Sequence, residues 1–244
     1  MPFNTLLDAS ETLVFAHRGA SACAPQNTLA AFELAAQQGA HGIELDVHLT
    51  RDGQLAVIHD ATVDASTDGR GAVAQMSLAQ LKELDAGAWF SPEFAGERIP
   101  TLDEVFAAVG HSMLVNVEIK SGAPGIEHGV AACIRGSQME ARTLVSSFDA
   151  GVLRRLRPLV NAPLGFLCMA DEPDANDANR FFDALHPWHE FVDAEYVRQA
   201  REARCLVNVW TVNEPLRACE LKALGVNSII TDQPAAILAA LALC

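Results

Sequence analysis

The stretch TLVFAHRGASACAPQNTLAAFELAAQQGAHGIELDV, residues 12–47, decides the fold class. TLVFA is an apolar β-like run; Asn27 or Thr28 then offers an N-cap, an apolar stripe follows at helical spacing, and Gly39 marks the stop. HGIELDV, residues 41–47, is a second β-like run, so the order is strand, helix, strand, as in an α/β domain. The first strand leaves its core on His17-Arg18, an unusual place to end an apolar run.

Working outward, HLTRDGQLAVIH (48–59) sets two β-like runs around Asp52-Gly53, a connection too short for a parallel crossover, so 55–59 is expected to return as a hairpin. Residues 60–100 read as an irregular, Gly-containing excursion with one short helix near SLAQLKELD. The alternation then resumes: helix TLDEVFAAVG, strand 113–119, helix near 126–136, strand 143–148, and a helix capped by Asp149. Next come strand 163–169, a helix near 174–182, a brief strand 183–186, and a helix from about Asp193. Strand 205–212, a helix capped by Asn213 with Pro215 in its first turn, strand 226–231 and a helix after Pro234 complete the series. With the hairpin return set aside, eight strands are each followed by a helix. That points to an α/β fold of the (β/α)8 TIM type, with a hairpin and a small insertion after strand 2, more strongly than to an open sheet. Residues 1–244 are expected to form one catalytic domain.

No apolar run approaches the roughly 18 residues of a membrane span, and the start has neither a basic n-region nor an apolar h-region. Six cysteines (Cys23, Cys133, Cys168, Cys205, Cys219, Cys244) lack metal-finger spacing and read as core thiols in a reducing cytoplasm rather than a disulfide frame. The formal charge of −14 disfavours a nucleic-acid or anionic-membrane partner. An anionic small molecule must therefore be held by local cations.

In a (β/α)8 barrel the chemistry sits at the C-terminal strand ends. Those ends carry His17, Arg18, Glu44, Asp46, His59, Glu118 and Lys120. Glu44 and Asp46 share a face of their strand, as do Glu118 and Lys120, because side chains alternate along a strand. Three converging carboxylates without thiolate suit one hard divalent cation, Mg²⁺ or Ca²⁺, on Glu44, Asp46 and Glu118. The bland alternative is an ion network with Arg18 and Lys120. His17 and His59 supply a proton acceptor and a proton donor, each such role being worth about 10²- to 10⁴-fold in rate. Arg18 and Lys120 match phosphate oxygens. Trp210 and Asn213 stand at a strand end; Phe148, Phe90 and Trp89 are pocket candidates that read equally as core. His48, His111, His128, His186 and His189 read as surface or structural.

AHRGASACAPQNT, GIELDVHLTRDGQLAVIHD, DAGAWFSPEFAGERIPTLDEV, VNVEIK, SSF and VWTVNE occur in an order and spacing that resemble the glycerophosphodiester phosphodiesterase family, in its short cytoplasmic bacterial form. The resemblance implies a TIM-type barrel whose inserted segment helps shape a glycerol pocket. It also implies hydrolysis of small glycerophosphodiesters, such as glycerophosphocholine or glycerophosphoethanolamine, to an alcohol and sn-glycerol 3-phosphate. Carried over by position, His17 and His59 match the acid/base histidines, Arg18 and Lys120 the phosphate contacts, and Glu44, Asp46 and Glu118 the metal carboxylates. Two positions depart from the family pattern: Gln26 stands where a glutamate is usual and Ala65 where an arginine is usual.

The mechanism that follows has His17 as base and His59 as acid, with water or the glycerol 2-hydroxyl as nucleophile. Three rivals remain at this point. A glycosidase explains the acids but not the histidines and cations; a non-catalytic phosphodiester binder has no use for the histidines; a membrane phospholipase lacks an apolar anchor. Oligomeric state is not legible.

Overall fold

The computed structural model describes residues 11–109, 112–169 and 181–244. Its strands are β1 (Leu13–His17), β2 (Gly42–Leu49), β3 (Leu55–Val57), β4 (Leu114–Ile119), β5 (Thr143–Ser147), β6 (Leu164–Cys168), β7 (Ala184–Pro187), β8 (Leu206–Val209) and β9 (Ser228–Thr231). Strands β1, β2 and β4 to β9 pair in parallel in chain order, and β9 pairs back onto β1, closing a barrel of eight. β3 lies antiparallel on β2, with Val47 opposite Val57, as a hairpin return. The helices are α1 (Leu29–Gln37), α2 (Leu78–Leu81), α3 (Leu102–Val109), α4 (Ile126–Gly136), α5 (Ala150–Leu156), α6 (Ala194–Glu202), α7 (Pro215–Leu224) and α8 (Pro234–Leu241).

The barrel strands bury both faces, which is why they read as apolar runs rather than as alternating ones. Outward residues such as Val14, Ile43, Val115, Val145, Val207 and Ile229 join the helices in one large core. Inward residues Leu13, Phe15, Leu114, Leu144, Ala184, Leu206 and Ile230 pack together in the lumen. The Cα partners rise around the barrel with the tilt that closure requires: His17 faces Glu44, Glu44 faces Asn116, and Asp46 faces Glu118. This register lifts the first polar residues of β1, β2 and β4 to the same end of the lumen.

Residues 60–100 follow as the expected excursion. It has a small apolar centre of its own, including Val63, Val73, Leu81, Ala86 and Ile99, and α2 opens with a capping box between Ser77 and Gln80.

One expectation is narrowed and two are corrected. Of the two expected caps of α1, Thr28 is the one used, accepting from the Ala31 amide, while the Asn27 side chain bonds Asp46. Asn213 does not cap α7: Glu214 holds that position with no side-chain bond, and the Asn213 amide turns to Asp232. Cys219 on α7 is bridged to Cys244, where α7 and α8 pack side by side and bring the two Cα atoms to 6.0 Å. Cys133, Cys168 and Cys205 are buried thiols as expected, while Cys23 is exposed. The helix read near 174–182 falls largely outside the described residues.

Candidate active site

The corner after β1 is built by backbone conformation. Arg18 and Gly19 both adopt the left-handed region, at φ 57° and 85°, and the Arg18 amide bonds the Glu44 carbonyl at 2.9 Å. A Cβ on Gly19 would fall 2.6 Å from that of Ala31, so the turn onto α1 requires glycine. The corner brings the His17 and Arg18 side chains together at this end of the barrel.

The acceptor oxygens of Glu44, Asp46 and Glu118 lie within 4.8 Å of one another, and all three residues are buried. Arg18 Nε stands 3.5 Å from Asp46 Oδ2; Lys120 Nζ stands 3.6 Å from Asp46 Oδ1 and 2.7 Å from Glu118 Oε1. Asn27 Nδ2 donates to Asp46 Oδ2 at 2.8 Å. Burial raises the Asp46 carboxyl, but Arg18, Lys120, His59 and the Asn27 bond outweigh it and hold it below the usual carboxylate range. Glu44 is driven well above that range by burial and by its neighbours Asp46 and Glu118. Burial and Asp46 likewise push Glu118 up to about 7, against the pull of Lys120.

Three carboxylates face two cations, so one negative charge is left over in a buried space. A proton or a hard cation satisfies it. The donor set, three carboxylate oxygens and no sulfur, fits a divalent metal such as Mg²⁺ or Ca²⁺.

The two histidines are anchored differently. His17 Nδ1 lies 2.7 Å from Asp232 Oδ1, and Asp232 also accepts from Ser21 at 3.0 Å and from Asn213 at 2.6 Å. Burial raises the Asp232 carboxyl, but these donors, led by His17, bring it down to about 2. His59 Nδ1 lies 2.7 Å from Asp60 Oδ1, its Nε2 is 3.2 Å from Lys120 Nζ, and its carbonyl is bonded by the His48 ring at 3.0 Å. Burial, with Arg18 and Lys120, lowers the His59 pKa against the opposing carboxylates Asp46 and Asp60.

A pocket of about 160 Å³ opens above this cluster. His17, Arg18, Glu44, His59, Glu118, Lys120 and Trp210 line it, and Asp46 lies beneath at 1 % exposure. Phe148 lines it too, edge-to-face with Trp210 at 5.6 Å, whereas Trp89 and Phe90 pack on each other within the insertion. Gln26 accepts from Arg18 Nη1 at 2.7 Å; as a neutral amide it orients the guanidinium without cancelling its charge.

The family model for the glycerophosphoryl diester phosphodiesterase family matches residues 17–236, from the first pocket histidine to the last helix. The chain belongs to this family. It is 43 % identical over 231 residues to a glycerophosphodiester phosphodiesterase of Caldanaerobacter subterraneus subsp. tengcongensis, covering 92 % of this chain and 95 % of that one. Its fold superposes with a TM-score of 0.85 on an Oleispira antarctica phosphodiesterase in complex with the product sn-glycerol-3-phosphate, at 32 % identity over 94 % of this chain and 96 % of the other. A glycerophosphoryl diester phosphodiesterase structure from Silicibacter pomeroyi, described there as putative, gives a TM-score of 0.88 at 25 % identity, covering 98 % and 97 %.

Beyond the site candidates named from sequence, five further residues build this pocket. Asp232 and Asp60 hold the histidine rings, Asn27 holds Asp46, and Asn116 and Ser146 form the floor. Asp60 and Asp232 had a signal, since each is an acid directly at a strand end. Asn116 and Ser146 had one only through alternation, two residues before Glu118 and Phe148.

Proposed function

We propose that the chain hydrolyses glycerophosphodiesters, such as glycerophosphocholine and glycerophosphoethanolamine, to sn-glycerol 3-phosphate and an alcohol, with one divalent cation, Mg²⁺ or Ca²⁺, on Glu44, Asp46 and Glu118. The chain is an enzyme of a phosphodiesterase family; the metal, the substrates and the residue roles are the proposal. One observation carries it: three buried carboxylates, two cations and two carboxylate-anchored histidines converge on one pocket.

Arg18 and Lys120 neutralise the phosphate and orient it, Arg18 through its planar fork. Nδ1 of His17 donates to Asp232, which leaves Nε2 with its lone pair towards the pocket, ready to take a proton from water or from the glycerol 2-hydroxyl. His59 gives a proton to the leaving alkoxide. It is mostly neutral at rest, because burial and the cations Arg18 and Lys120 lower its pKa; an anionic phosphate between those cations offsets them and lets the ring charge. The cation, when bound, supplies Lewis acidity to the phosphate oxygens. Trp210 and Phe148 form an apolar wall for the organic part of the substrate. A small soluble substrate and a cytoplasmic setting belong to the same reading. No helix among the described residues is long and apolar enough to cross a membrane, and three cysteines are buried thiols; the Cys219–Cys244 bridge is the feature that departs from it.

The test is release of glycerol 3-phosphate from glycerophosphocholine, followed by a coupled dehydrogenase assay with EDTA and then with Mg²⁺ or Ca²⁺ restored. Release that stops with chelation and returns with metal is expected. Release indifferent to EDTA removes the metal from the proposal, and silence with every glycerophosphodiester removes the substrate class.

A further inference from the structure

The two cations of the pocket are not equally committed. Lys120 Nζ stands between Glu118 Oε1 at 2.7 Å and Asp46 Oδ1 at 3.6 Å, so two carboxylates already share its charge. Among the described residues, Arg18 pairs with one acid, Asp46, through Nε at 3.5 Å. Its Nη1 is given instead to Gln26 Oε1 at 2.7 Å. A guanidinium carries donors and no acceptor, so the oxygen end of the Gln26 amide must face it. This contact holds the fork in place and leaves its charge standing.

The neighbours of Gln26 place it there. Asn27 adopts the left-handed region at φ 57°, and its backbone amide donates to the Arg18 carbonyl at 2.9 Å. The Asn27 side chain donates to Asp46 at 2.8 Å, and Thr28 Oγ1 donates to the Pro25 carbonyl at 2.7 Å. Residues 25–28 are thereby pinned to the strand ends around the pocket, and a side chain of this length at position 26 meets Arg18. A glutamate would meet it with the same shape and would add a full negative charge.

We propose that Gln26 sets the charge selectivity of the pocket: by holding Arg18 through a neutral oxygen it favours dianionic phosphate monoesters over monoanionic diesters, so the enzyme binds its product more tightly than its substrate and is inhibited by it. The inference rests on the hydrolase reading of the same pocket. Hydrolysis converts a diester with one negative charge into a monoester that carries nearly two above about pH 7. Coulomb energy is proportional to the charge of the ligand, so a unit change in the pocket counts about twice as much for the dianion as for the monoanion. In affinity that is a square: a charge at position 26 that weakens the monoanion about fivefold weakens the dianion about twenty-five-fold. The Arg18 side chain is 20 % exposed, which limits the solvent screening that would flatten this difference.

The test is calorimetric binding of sn-glycerol 3-phosphate and of sn-glycerol 3-sulfate, which has the same shape and one charge fewer, at about pH 8 in buffer with Mg²⁺. The wild type is expected to prefer the phosphate about tenfold or more. Gln26→Glu is expected to weaken both ligands, the phosphate by roughly the square of the factor for the sulfate, so that the preference narrows at least about threefold. Gln26→Met keeps the length but has neither charge nor a strong acceptor; it is expected to weaken both ligands by the same factor and leave the preference as it was. Thermal melting checks that both variants are folded. A preference unchanged in Gln26→Glu overturns the proposal. So does one that narrows as much in Gln26→Met, which would make the orientation of Arg18, not its charge, the cause. The wild type alone gives a second arm that needs no variant: a Ki for sn-glycerol 3-phosphate below the KM for glycerophosphocholine is expected, and a Ki well above it overturns the product-inhibition claim. A protein that shows the phosphate preference and its loss in Gln26→Glu, yet hydrolyses no diester, sinks the hydrolase reading and leaves Gln26 as the charge-selecting residue of a binding pocket.

Discussion

His17 takes its orientation from a carboxylate 215 positions away in the chain, Asp232 Oδ1 at 2.7 Å. Asp232 is in turn held by Ser21 and Asn213, so neither the carboxylate nor the ring can swing. Such an anchor selects the Nδ1–H tautomer and stabilises the imidazolium once the proton has moved. Asp232→Asn keeps the shape but offers an amide whose NH₂ favours the opposite tautomer. Its kcat is expected to fall at least about tenfold, a share of the 10²- to 10⁴-fold that an acid/base residue supplies, while KM changes little. A steady-state comparison with wild type decides it, and an Asp232→Asn enzyme with full kcat removes Asp232 from the mechanism. The equivalent anchor of His59, Asp60, is its chain neighbour and 44 % exposed, so the two rings are not equally constrained.

At the scale of the element, the barrel is legible because its strands are buried on both faces and its helices on one, a contrast written directly into the run lengths. What the lumen holds is less legible. His186 on β7 reads as surface or structural, and it proves structural: it lies across the lumen, wholly buried, with Asn208 Nδ2 3.0 Å from its Nε2, and burial pushes its pKa down to about 3. Gly165 on β6 exists to make this room: a Cβ there would stand 2.5 Å from His186 Nε2. Gly165→Ala is accordingly expected to destabilise by about 1–3 kcal/mol, the range for overpacking, which a urea titration measures as a lowered midpoint. An unchanged midpoint would show that the ring has space to move. The misread elements share one cause. Asn213 looks like a cap and Cys219 like a core thiol, and each is claimed by a partner that sequence spacing does not reveal: Asp232 and Cys244. The seven polar strand-end residues were legible for the opposite reason. A strand end in a barrel fixes both position and direction, so the residue type alone carries the remaining information.

The molecule carries a net charge of −14 spread over its whole length, and at one buried point three carboxylates stand against two cations, an excess of one negative charge. Burial and neighbouring acids raise Glu44 well above the usual carboxylate range and Glu118 up to about 7. A carboxyl whose folded pKa exceeds its unfolded value binds more protons when folded. The contribution of Glu118 to the stability of the metal-free protein is therefore fully present below the unfolded carboxylate value and is lost as pH rises through about 7. The loss from Glu118 is on the order of 3 kcal/mol, several degrees in Tm for a chain of this length. A divalent cation replaces the missing proton and restores what ionisation removed, so metal stabilisation must grow with pH. The expected result is a Tm increase on adding Mg²⁺ or Ca²⁺ that is small near about pH 5.5 and larger near about pH 8, with the metal-free Tm falling over the same interval. Other groups also titrate there, which is why the difference between metal-loaded and metal-free curves is read rather than either alone. Glu118→Gln removes one of the raised carboxyls and should flatten that difference. A metal-induced shift that is independent of pH, or absent at both ends, would mean that the three carboxylates are settled by protons, Arg18 and Lys120 alone.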